Sequence, residues 1–197
     1  MTKRNSTHGY LTQLARNLSI KFSDTLSEIL PQNITNKECN KPLIRYEKQM
    51  KMTPLYSPAC DAAIGPFSFD EGNINDCYQT IADDPTVQEF IKGLQKESLG
   101  SGCNYELNHN RNPRCFSAIE VENSTAKDVK HLLGSITNCS ILSKIGIVII
   151  FDANIKYAER LLQYIAFAKY VNKTDKSLFN NVFVIAKSKF DAMLDII

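Results

Sequence analysis

Cys115-Phe116-Ser117-Ala118-Ile119-Glu120-Val121-Glu122-Asn123 is small or apolar for five residues and then sets two glutamates one residue apart. Side chains on a strand alternate between its faces, so the spacing predicts a strand with Phe116, Ala118, Glu120 and Glu122 on one face. Ile119 and Val121 then point the other way, into a core. At a rise of about 3.3 Å per residue the two carboxylates lie about 6–7 Å apart. Desolvated like charges must take up protons or find a cation. Oxygen-only donors favour magnesium, manganese or calcium over zinc, which prefers His and Cys.

Downstream the pattern is regular. A helix is expected from about Thr125 to Leu142, with Ser124 or Thr125 as its cap and Asp128 completing a capping box. Val129, Leu132, Leu133, Ile136 and Ser140 fall on one side of it, and Lys127, His131, Gly134 and Asn138 on the other. Ile145 to Phe151 reads as a second apolar strand, Asn154 to Val171 as a long helix, Asn181 to Lys187 as a third strand, and the end as a short helix. Alternating strands and helices indicate a layered α/β architecture with a crossover.

Upstream, Tyr56-Ser57-Pro58-Ala59-Cys60-Asp61 leads into a short strand, Ala59 to Ile64, which Gly65-Pro66 stops. An early acid, Asp61, followed by two acids on a later strand is the spacing of a carboxylate pocket for a hard cation. That chemistry suits phosphodiester hydrolysis. Residues 9–30 read as a helix with Leu11, Leu14, Leu18, Ile20, Phe22, Leu26 and Leu30 as its apolar positions, and Pro42 to Met52 as a second, shorter helix. The stretch from Phe67 to Arg114 is more polar and less regular, with one helix from Pro85 to Glu97, and reads as an insertion on the core.

The chain has 197 residues, 43% of them apolar and 22% charged, which suits one globular domain over residues 1–197 with a helical segment over 1–52. Lys and Arg number nine against four Asp and Glu in residues 1–52, four against eleven in 53–126, and ten against six in 127–197. An acidic middle between basic ends suits a metal pocket inside a surface that holds a polyanion, and solvated surface charge is the plainer reading. The six cysteines form no C-x-x-C pair or zinc spacing, the N-terminus lacks an apolar signal core, and no apolar run is long enough to span a membrane. A cytoplasmic protein with reduced thiols and no membrane partner is the expectation.

Asp61 after Pro58, Glu120 and Glu122 on the next apolar strand, and a helix directly afterwards together resemble the PD-(D/E)xK nuclease superfamily over about residues 40–190. The resemblance implies a restriction-endonuclease-like α/β/α core with a mixed sheet. It implies a DNA endonuclease of restriction or defence type, acting as a homodimer with magnesium, or manganese in its place. Asp61 and Glu120 would be metal ligands with the Val121 carbonyl as a further one, and Glu122 would bind a second metal or act on the attacking water. Two departures stand out. Pro58 is three residues before Asp61 instead of adjacent, and Glu122 occupies the position where the superfamily usually has lysine. Lys130, or Lys127, would then supply the missing cation. Lys127, Lys130, Arg111 and Arg114 are the candidates for nucleic-acid contact. The competing reading is a catalytically inactive nucleic-acid-binding or assembly module on the same fold, and for Asp61 alone a strand-end cap.

Overall fold

The computed structural model describes residues 3–29, 44–49, 59–67, 74–100, 110–111, 113–123 and 129–194. Among these residues five strands form one mixed sheet in the order β1-β2-β3-β4-β5. They are β1 Ile44–Gln49, β2 Ala59–Ile64, β3 Cys115–Glu122, β4 Ser143–Ile150 and β5 Val182–Ala186. The first three pair antiparallel, and β3, β4 and β5 run parallel. The helices are α1 Lys3–Ile29, α2 Ile74–Asp83, α3 Pro85–Glu97, α4 Val129–Leu142, α5 Ile155–Tyr170 and α6 Lys187–Met193. Among the described residues no helix is long and apolar enough to cross a membrane.

A core lies on each face of the sheet, giving three layers. On one face α1 buries Tyr10, Leu11, Leu14, Leu18 and Phe22 among side chains of α2, α3 and α6 and against Ile119, Val121, Ile147 and Ile149 of the sheet. On the other, Leu132, Ile136 and Cys139 of α4 and Ala158 and Leu161 of α5 cover Ala118, Val148, Ile150 and Val184. Sheets covered on both faces have strands that read as continuous apolar runs, which is why β4 and β5 are buried throughout. Residues 98–99 cover the outer edge of β5: Ser98 bridges Ile185, and Leu99 N–H donates to the Val184 carbonyl at 2.7 Å.

Several expectations need correction. Residues 44–49 form a strand, where a helix over Pro42–Met52 was expected; its sequence alternates Ile44 and Tyr46 with Arg45 and Glu47, and pairing along all of β2 decides the conformation. The stretch read as an insertion contributes α2 as well as α3, and Tyr78, Ile81, Val87, Phe90 and Leu94 sit in the first core. Asp84 caps α3 by accepting from Thr86 N at 2.9 Å and Val87 N at 3.2 Å, and Pro85 needs no partner for a missing N–H. Ile20 is 71% exposed, outside the stripe that α1 buries. Phe116 joins the core of Ile119 and Val121, its ring 6.3 Å from that of Tyr78, not the acidic face. On α4, Val129 and Leu133 are exposed, while Ser135 and Cys139 are buried. Leu30, Pro58 and the N-terminal residues 124–128 of the expected fourth helix lie outside the described residues.

The Ser117 hydroxyl is buried without a hydrogen-bond partner among Phe22, Ile64, Val87, Phe90 and Ile145, beside a void of about 10 Å³. That space is at the lower limit for one water. An unsatisfied buried hydroxyl is a standing cost, so Ser117→Ala is expected to raise the unfolding free energy by about 1 kcal/mol. Urea denaturation checks it, and a destabilised variant would show that the hydroxyl has a partner.

Candidate metal centre

The site forms where β2 and β3 part. Their registered pairs run Ile64↔Ser117, Ala63↔Ala118 and Ala62↔Ile119 and stop there. Continued one step, the register would set Asp61 opposite Glu120. Instead Asp61 Oδ2 accepts the Val121 N–H at 2.8 Å, so a side-chain carboxylate takes the place of a ladder carbonyl. The alternation of β2 breaks at the same point, because Cys60 and Ala63 both line the second core. Asp61 is thereby drawn against β3, beside Glu120.

The two carboxyl groups are hydrogen-bonded to each other. Burial and then the charge of Asp61 push Glu120 up to about 8, against a smaller downward pull from the Asn138 amide, whose Nδ2 donates to Glu120 Oε1 at 3.4 Å. In the absence of a cation the pair thus shares one proton and keeps a single negative charge. Beneath it lies the buried thiol of Cys60, with buried Cys139 close by and buried Cys115 further off at the start of β3. Burial and the charges of Glu120 and Asp61 push Cys60 up to about 12, and burial raises the other two. These thiols stay protonated, and act as an apolar floor instead of nucleophiles or soft metal ligands.

Glu122, two residues further along β3, accepts a hydrogen bond from Ser135 Oγ. One face of α4 therefore supplies a donor to each glutamate: Ser135 to Glu122 and Asn138 to Glu120. The helix is seated closely enough to do so because Gly146 of β4 lies under it; a Cβ there would come within 2.8 Å of Cys139 Cβ. The far end of α4 is fixed by two asparagines. Asn181 Nδ2 donates to the Ser140 and Ser143 carbonyls, both at 3.0 Å, and Asn110 Nδ2 to the Ile141 carbonyl at 2.7 Å. They satisfy carbonyls that a helix end leaves unpaired, letting α4 pass into β4 without a loop.

Of the expected site residues, Asp61 and Glu120 are brought together. Glu122 lies on the same strand but is held by α4, and among the described residues no three Asp, Glu, His or Cys side chains gather into a ready-made metal cage. Val121 reaches Asp61 through its N–H while its side chain lies in the first core. Lys130 is exposed in the first turn of α4. Lys127 lies outside the described residues. Arg111 is exposed and Arg114 buried, just before the opposite end of β3 and, at six residues from Arg114 to Glu120, about 20 Å away along the strand. They are not part of this cluster. Ser135 and Asn138 are the residues the sequence did not single out.

The donor set fits a hard cation. Two half-buried carboxyl groups share one carboxylate's worth of excess charge, and magnesium commonly takes only one or two carboxylates while keeping several waters. Asp61 and Glu120 are the residues that would hold it. Fold and pocket define an α/β protein with a paired-carboxylate site where the sheet opens. Comparison of the chain with family models, with curated proteins and with solved structures returns no match.

Proposed function

We propose that the protein is a magnesium-dependent nuclease hydrolysing DNA phosphodiester bonds, on a core of the restriction-endonuclease-like type. The observation that carries the reading is the Asp61–Glu120 pair, a half-buried arrangement whose charge a cation would balance. The element order supports it, with an acid on one antiparallel strand, two acids on the next and a crossover helix after them.

Bound there, magnesium (or manganese) would stabilise charge on the phosphoryl oxygens and acidify an attacking water. Asp61 and Glu120 serve as its ligands. Asn138 orients Glu120, and Ser135 fixes Glu122, which would take up the proton of the attacking water. Glu122 would thus have a role for which lysine is not required, and Lys130, exposed at the start of α4, would meet the phosphate backbone. Cutting both strands of a duplex takes two sites, so the active species is proposed to be a homodimer.

Incubation of plasmid with the protein is expected to give nicked and linear DNA with magnesium or manganese and none with EDTA. Intact plasmid under all conditions, with salt-sensitive DNA retention in gel shifts, would favour the inactive binding module instead. The held position of Glu122 is the observation on that side.

A further inference from the structure

We infer that the flank of α4 carrying His131 and Gly134 is the surface along which the nucleic-acid backbone lies beside the scissile bond; this rests on the nuclease reading above. The azimuth of the helix is set by the hydrogen bonds of Ser135 to Glu122 and of Asn138 to Glu120. At 3.6 residues per turn, His131 is on the line of Ser135 and Asn138, one turn nearer the helix start, and Gly134 lies one turn before Asn138 on its outer side. Both His131 and Gly134 are exposed. The face that turns toward the carboxylates therefore continues into solvent through these two residues.

Gly134 is the informative member. It stands in the interior of a 14-residue helix, its backbone is not in the left-handed region, and a Cβ built on it would meet nothing within 4 Å. Neither turn geometry nor packing asks for glycine. By contrast Gly146, under the same helix, is demanded by contact with Cys139 and Val182. In an exposed helix interior glycine costs about 1 kcal/mol relative to alanine. Close approach of a ligand to the backbone is a physical reason for such a residue. A phosphodiester chain crossing the pair of acids would pass here. The imidazole of His131, an N–H donor in either tautomer, would meet a phosphate oxygen one turn further on.

The test is steady-state cleavage of a fluorescent duplex with magnesium, alongside thermal unfolding. Gly134→Ala is expected to raise the melting temperature yet raise KM about tenfold with kcat within twofold, and His131→Ala to raise KM about fivefold. Gain of stability together with loss of substrate affinity is what a merely structural glycine would not show. If the unsubstituted protein cleaves and both variants keep its KM, the backbone track is wrong while the nuclease reading stands. If the unsubstituted protein neither cleaves nor binds duplex, the nuclease reading fails and this inference falls with it.

Discussion

Glu120→Gln is expected to lower magnesium-dependent cleavage by about 10³-fold while making the metal-free protein more stable at pH 8. The first half follows from the proposed function, since it removes an anionic ligand from a site that would concentrate charge on a cation. The second follows from the pair itself. Folding lifts Glu120 to about 8 from an ordinary value of 4.5, with burial as the larger cause and the Asp61 charge next. Between about pH 4.5 and 8 the folded state therefore keeps a proton that the unfolded chain releases, so the contribution of this group to stability falls as pH rises through that window. Below it, both states are protonated and the cost is absent. Glutamine mimics the protonated acid: its carbonyl still accepts from Asn138 and its amide can donate to Asp61. The gain at pH 8 in EDTA should be roughly 2–4 kcal/mol, or roughly 5–10 °C in melting temperature for a chain of this size. Added magnesium should stabilise the unsubstituted protein by mass action and leave the variant unchanged, so the difference narrows as the cation is titrated in. Melting curves across pH 5–9 with and without magnesium measure this. A variant that cleaves normally, or that gains nothing at pH 8, would remove Glu120 from the site.

That the same residue should be costly to stability and necessary to activity explains why part of this protein could be read from its sequence. Glu120 and Glu122 break an apolar run, and Asp61 sits against apolar neighbours. Such residues are visible because they contradict their surroundings. The strands β3, β4 and β5, as apolar runs, and the helices α3 and α5, as apolar stripes, were legible for the complementary reason, since each pattern is local. β1 was not. Charges at helical spacing, Glu47 and Lys51, and a preceding proline imitate a helix, whereas the strand is decided by pairing with β2, about fifteen residues away in the chain at their centres. Ser135 and Asn138 were hidden for a related reason. Their chemistry depends on which way α4 is turned, and that is set by the Gly146 contact and by the asparagines at its far end. No pattern inside the helix encodes it. The spacing of the two donors, three residues apart on a helix beside acids two apart on a strand, would have been the signal, had the pairing of those elements been known.

Asp61 permits a separation of charge from hydrogen bonding that Glu120 does not. Its Oδ2 holds the Val121 N–H beyond the last registered pair of β2 and β3, so the proposed ligand is also a clasp between strands. Asp61→Asn keeps an acceptor of the same shape and removes the charge; Asp61→Ala removes both. Cleavage should fall about 10³-fold in either variant. Stability should divide them. In the alanine variant the Val121 amide is left without its partner, a loss of about 1–3 kcal/mol that the asparagine variant is spared. In both, the charge that helps to raise Glu120 is gone, so the pH window over which metal-free stability declines should move toward lower pH. Combining Asp61→Asn with Glu120→Gln then tests whether the two acids act on one ion. If they do, the second substitution adds little to the loss caused by the first, because a site that has already failed to hold its cation cannot fail again. Multiplied losses, near 10⁶-fold, would mean that each carboxylate contributes through a separate step, and the shared metal centre would have to be given up.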